Sequence, residues 1–137
     1  MPLTRPRWRD PCPTRELQER SAGHPSSIVL PNLITVGTVD KAGDEAAFTS
    51  YGPTVTVRAN GYLVDTDVPG GKRVALSGTS MSAPQVTNLA AKILAVNPAL
   101  SAVEVIAIIK RTAQTTADGR RTLIHPANAM AAAGYRP

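Results

Sequence analysis

A single cysteine, Cys12, stands in a chain of 137 residues. It has no partner for an internal disulfide and no metal-ligand spacing around it. Pro11 and Pro13 flank it and place it in an irregular segment as a free thiol. Aromatic residues make up 4% of the chain, so a core must be built from Val, Ile, Leu and Ala, which the 42% hydrophobic content can supply. No apolar run approaches the ~20 residues that a membrane-spanning helix needs. The first residues run through Pro, Arg and Trp without the apolar stretch of a secretory signal, which leaves the compartment open. No loop is rich enough in Asp and Asn to hold calcium, and neither a metal nor an organic cofactor is expected. The net charge of +5 lacks the distribution that would bind nucleic acid. Arg5, Arg7, Arg9, Arg15 and Arg20 sit beside Asp10, Glu16 and Glu19, and the remaining basic residues are scattered or paired, with no basic helix face and no aromatic interleaving.

What is present divides the chain in two. Residues 1–24 hold Pro2, Pro6, Pro11 and Pro13 among the arginines, and Leu3, Trp8 and Leu17 are their sizeable apolar groups. Such a segment buries too little surface to offset its ordering entropy and reads as a basic, Pro/Arg-rich disordered tail. Residues 25–137 read as a folded α/β unit. Ile28 to Leu30 and Leu33 to Val39 are apolar or β-branched on successive positions, the pattern of a parallel strand buried on both faces. Thr54 to Ala59 alternates as a second strand. Leu63 to Val68 and Arg73 to Leu76 flank Pro69-Gly70-Gly71-Lys72 and predict a hairpin.

Three helices follow. The first carries Ala83, Val86, Leu89, Ala90, Ile93 and Leu94 with Lys92 as its one charge, which predicts burial nearly all round. Pro84 near its first turn predicts an irregular start, and Asn97-Pro98 stops it. Ser101 with Glu104 three positions on forms a capping box for the second, which ends in Lys110-Arg111. The third starts at Pro126 and stops before Gly134.

The run Gly78-Thr79-Ser80-Met81-Ser82-Ala83-Pro84 carries the chemistry. It sets a serine between a Gly-Thr turn and an apolar helix, so that Ser80 Oγ projects where free backbone N–H groups and the helix dipole favour negative charge. The plainer alternative is a helix cap, with Thr79 or Ser80 satisfying orphan N–H groups. A serine hydroxyl also needs a general base. His24 and His125 are the two histidines, and both read as solvated loop residues. Asp40 ends a strand, Asp65 and Asp67 alternate on the hairpin towards solvent, and Asp118-Gly119 is a turn signal.

The seven-residue run resembles the nucleophile segment of the subtilisin-like serine peptidases, the subtilases. Pro31 to Asp40 is similar to the family's Ile-x-Val-Gly-Ala-Val-Asp strand, and Phe48-Thr49-Ser50-Tyr51-Gly52-Pro53 to the Phe-Ser-x-x-Gly turn after it. Asn97-Pro98 and the helix from Ser101 resemble the family's ending. The similarity covers about residues 25–133 in the family's order. It implies a subtilisin-like three-layer α/β arrangement with a partial parallel sheet, a hairpin and C-terminal helices. It also implies serine endopeptidase activity on peptide or protein substrates, with Ser80 as nucleophile, its N–H as one oxyanion donor, and Thr79 supporting the oxyanion site. In the family the catalytic Asp, the His of a His-Gly-Thr helix and an Ala-Gly-Asn oxyanion element all precede this region. Here Ser21-Ala22-Gly23-His24 stands near the last of these without its asparagine, and Asp40 lies on a strand whose Asp has no triad role.

The resemblance therefore implies the C-terminal part of a protease domain, inactive alone, with the upstream half as a candidate partner. A non-catalytic peptide- or partner-binding module on the same scaffold is the alternative.

Overall fold

Short apolar strands alternate with longer helices along the chain, and the computed structural model, which describes residues 28–49 and 52–136, arranges them as one mixed α/β unit. The expected tail at 1–24, Cys12 and His24 lie outside the described residues, as do Ser50 and Tyr51 of the Phe48–Pro53 turn. In chain order the elements are β1 (Val36–Val39), β2 (Val57–Asn60), β3 (Val64–Val68), β4 (Lys72–Leu76), α1 (Thr79–Val96), α2 (Ala102–Thr112), β5 (Gln114–Thr115), β6 (Thr122–Leu123) and α3 (Pro126–Ala132). One sheet has the order β1-β2-β6-β5, and β3 with β4 forms a separate hairpin. β1 and β2 run parallel with Val36 opposite Val57, and β6 joins β2 in parallel at Arg58 and Leu123.

β1 is shorter than the sequence pattern predicts. Ile28, Val29 and Leu30 are exposed rather than strand, because Pro31 has no N–H to offer a ladder and a turn closes from the Leu33 N–H to the Leu30 carbonyl at 3.1 Å. β2 likewise begins at Val57, not at Thr54. The hairpin follows its turn chemistry. Pro69 occupies the second position of a turn closed from the Gly71 N–H to the Val68 carbonyl at 3.1 Å, and Gly70 takes φ +93°, open to glycine without strain.

Alternation on β2 sets the two faces of the main sheet. Val57 and Ala59 point to the helices and pack with Val86, Leu89 and Ile93 of α1; α2 adds Val105, Ile108 and Ile109, and α3 adds Ala129. Each fully buried Ile or Val contributes roughly 1.5–3 kcal/mol. Arg58, between them in sequence, points to the opposite face, where it is buried and pairs with Glu45 at 2.8 Å. A buried guanidinium requires such a partner, since unpaired it would cost several kcal/mol.

α1 departs from the expectation of burial all round. Its buried residues are Ser82, Val86, Leu89 and Ile93, a single stripe with steps of four, three and four, while Ala83 and Leu94 are exposed. The helix also runs unbroken through Pro84. Without an N–H, Pro84 leaves the Ser80 carbonyl without its helical partner, but this close to the N-terminus only one bond is lost.

The other helix ends match their signals. Gly134 at φ +104° closes α3, with the Tyr135 N–H donating to the Met130 carbonyl and the Gly134 N–H to the Ala131 carbonyl, both at 3.0 Å. Ser101 caps α2 by accepting from the Glu104 N–H at 3.3 Å, while its own N–H and hydroxyl donate to Glu104 Oε2, both at 2.7 Å.

The Ser101 backbone N–H, and secondly its hydroxyl, hold the Glu104 carboxyl below its ordinary range. A lowered folded-state pKa makes the box stabilising above the unfolded value and lost as pH falls through the folded one. The melting temperature of Glu104→Ala should therefore lie below that of the parent chain near neutral pH, and the gap should close below about pH 4. Thermal melts across that range read it directly.

Candidate functional site

The helix bearing Ser80 starts on a residue with no side chain. Gly78 is the N-cap of α1, in extended backbone, and no side chain caps the helix. The capping alternative for Thr79 and Ser80 is thereby removed; the Met81 N–H donates to the Gly78 carbonyl at 2.9 Å, and the N–H groups of Thr79 and Ser80 stay open to an incoming acceptor. Ser80 is exposed and Thr79 half-buried. Two residues along a helix is about 200° of rotation, so Ser82, turned into the sheet, forces Ser80 outward.

Ser82 is fully buried. Its Oγ lies 2.8 Å from Thr38 Oγ1 on β1 and donates to the Ala59 carbonyl on β2 at 3.1 Å. One hydroxyl thus ties the first turn of α1 to both parallel strands. Gly61, just past β2, makes this approach possible. A Cβ there would lie 2.3 Å from Ser82 Oγ, 2.6 Å from the Gly78 carbonyl oxygen and 2.7 Å from Thr38 Cγ2. Gly61 also accepts from the Gly78 N–H at 2.8 Å and donates to the Val39 carbonyl at 3.0 Å. The turn before Ser80 is therefore hung on the end of β2 by backbone alone. Gln85 adds a further tie, with Nε2 donating to the Asn60 and Met81 carbonyls.

The hairpin closes on the same point. Leu63 adopts φ +48°, the one described non-glycine residue at positive φ, at a cost of roughly 1–2 kcal/mol. Its N–H donates to Ser77 Oγ at 2.9 Å, immediately before Gly78.

The remaining candidates have structural employment elsewhere. Asp40 Oδ1 accepts from the N–H groups of Ala42 at 2.8 Å and Asp44 at 3.0 Å, holding the turn after β1. His125 caps α3, its Nδ1 accepting from the Asn128 N–H at 3.2 Å. Asp65 and Asp67 are exposed on β3. Asp118 Oδ1 accepts from Thr116 Oγ1 and, at 3.1 Å, from the Arg120 N–H, and these bonds hold its carboxyl below the ordinary range. No hydrogen bond joins any of these groups to Ser80 among the described residues, and no described cluster of His, Cys, Asp and Glu could hold a metal ion.

Sequence reading missed Thr38, Gly61 and Gln85, whose partners lie 44, 21 and 25 positions away. Ser82 carried a signal, a second serine two residues after Ser80, but its role depends on the strands behind it.

A sheet whose β1, β2 and β6 run parallel, one helix packed on it and an uncapped helix start carrying an outward serine define a subtilisin-like α/β unit. The chain belongs to the Subtilase family, whose model matches residues 12–128. It is 38% identical over 78 residues to "Subtilisin" of Bacillus pumilus, covering 57% of this chain and 28% of that protein. Subtilisin DY of Bacillus licheniformis is 36% identical over 102 residues, covering 72% of this chain and 37% of the relative. Among solved structures, MycP1 from Mycobacterium smegmatis aligns with a TM-score of 0.66 at 28% identity, over 72% of this chain and 29% of its own. The patellamide maturation protease PatA aligns at 0.67 with 27% identity, over 77% and 44%. The chain thus spans about a third of the length of these two curated relatives.

Gly61→Ala should lower stability by about 2–3 kcal/mol through overpacking, seen as a fall in the urea midpoint at unchanged slope. Ser82→Ala should cost about 1–3 kcal/mol by orphaning the Thr38 hydroxyl. Adding Thr38→Val should recover part of that loss, and strict additivity would show that the two hydroxyls are not coupled.

Proposed function

We propose that residues 25–137 are the C-terminal, nucleophile-bearing portion of a serine endopeptidase domain acting on peptide or protein substrates. Ser80 is the nucleophile and Thr79 supports the oxyanion site, with the Ser80 N–H as one donor. The observation that carries this reading is the Ser80 hydroxyl, exposed at a helix start that no side chain caps, within the segment that matches the family. A hydroxyl in that position finds backbone N–H groups and the positive end of α1 ready for the charge that develops on a tetrahedral intermediate. On this reading the Asp and His of the triad and the second oxyanion donor are missing from the chain; Asp40 and His125 are committed to a turn and a cap.

The chain alone is then catalytically incomplete. Loss of the base from a serine triad costs about 10⁶ in kcat, and loss of one oxyanion donor about 10²–10³. A fluorophosphonate probe, which labels activated serines, should leave the isolated chain unlabelled and should label Ser80 once a polypeptide carrying the family's Asp and His is bound. Ser80→Ala should abolish that labelling. Labelling of the isolated chain that disappears in Ser80→Ala would place a working base among the present residues and overturn the incomplete-site reading.

A further inference from the structure

Asn60-Gly61 is the one Asn-Gly pair of the chain; Asn32, Asn88, Asn97 and Asn128 precede Leu, Leu, Pro and Ala. This pair carries a chemistry of its own. Glycine has no side chain to keep a neighbouring group away from its nitrogen, so Gly61 N can attack the side-chain carbonyl carbon of Asn60. The new C–N bond closes a succinimide ring as the Asn60 amide leaves as ammonia. Water then opens the ring at either carbonyl, giving aspartate or, with the chain rerouted through the side chain, isoaspartate. The fold holds the reacting groups apart. Asn60 is the last residue of β2, in register with Val39. The attacking nitrogen, Gly61 N, donates to the Val39 carbonyl at 3.0 Å. The Asn60 side chain is turned forward, its Oδ1 accepting from the Tyr62 N–H at 3.1 Å. Gln85 Nε2 of α1 holds the Asn60 backbone carbonyl. Ring closure needs rotation about the Asn60 Cα–C and Cα–Cβ bonds, which disrupts these ties.

We propose that Asn60 is a deamidation site gated by the junction that anchors the Ser80 helix. It converts while the Gly61 contacts are open, and its isoaspartate product keeps them open. Isoaspartate inserts one extra backbone atom between the Asn60 Cα and Gly61 N. Gly61 is held from both sides, donating to Val39 and accepting from the Gly78 N–H at 2.8 Å. It is buried, and even a Cβ there would lie 2.3 Å from Ser82 Oγ. A junction this tight has no slack for a longer backbone, so the start of α1 cannot be seated on the end of β2 again. Release of ammonia makes the conversion one-way. The rate at which Asn60 converts in the folded chain therefore reports how often this junction opens.

The test incubates the full 137-residue chain at mildly alkaline pH, folded and in guanidinium chloride, and follows by peptide mass spectrometry the mass gained as amide becomes acid. In denaturant, Asn60 should convert ahead of Asn88 and Asn128, and equal rates at the three would remove Asn60 as the site. In the folded chain, Asn60 should convert at least about tenfold more slowly than in denaturant; equal rates in the two states would overturn the gating. Ser82→Ala loosens the same junction and should raise the folded rate while leaving the denatured rate unchanged. A folded rate that does not move would uncouple Asn60 from the anchor. The isoaspartyl chain, separated by chromatography and refolded, should melt below the Asn60→Asp variant, which carries the same added charge on an unaltered backbone. Coincident melts would show that the junction accepts the extra atom and would remove the one-way lock.

Discussion

The contact between Gly61 and the first turn of α1 is the constraint on which the rest of this structure depends. Only a residue without a Cβ lets Ser82 reach the Thr38 hydroxyl and the Ala59 carbonyl. Once Ser82 is seated, helical geometry follows from it. Val86, Leu89 and Ile93 fall on Val57 and Ala59, and the outer sides of α1 are set by exclusion. The Gly61–Gly78 hydrogen bond fixes where the helix begins, and that start decides that Ser80 rather than Thr79 or Ser82 faces outward.

Strength and chemistry are separated along α1. Apolar burial and the Ser82 bonds hold it down, and neither uses the atoms at its N-terminus. The N–H groups there are left without a side-chain cap, a small cost in helix stability. The left-handed backbone at Leu63 and its bond to Ser77 lie at the same junction. Strain of that kind persists where surrounding contacts over-determine the backbone; here β3–β4 pairing and the Gly61 bond do so from both sides.

Much of the fold was legible residue by residue. The Ser101–Glu104 box, the Pro69–Gly71 turn, and the Pro126 start and Gly134 stop of α3 are local devices whose partners lie within five positions, so sequence spacing is enough to find them. The parallel pairing of Val36–Val39 with Val57–Asn60 matched its apolar runs, although the first strand starts at Val36, later than hydrophobicity implied. β5 and β6 were not foreseen. Each has two residues, too few for any period, and β6 owes its place to pairing with Arg58 across the chain. The buried Arg58 was equally hidden, since a charged residue between Val57 and Ala59 reads as solvent-facing until Glu45 is brought over it.

The sequence by itself determined the family, the serine at a helix start and the local ends of most elements, because each rests on residue identity at short spacing. Tertiary structure alone decided that the helix start is uncapped, that Ser82 and Gly61 hold it against the sheet, and that α1 buries one stripe rather than its whole circumference. These outcomes depend on which strands arrive behind the helix and how closely. Backbone approach over such sequence distances leaves no mark in any local window of residues.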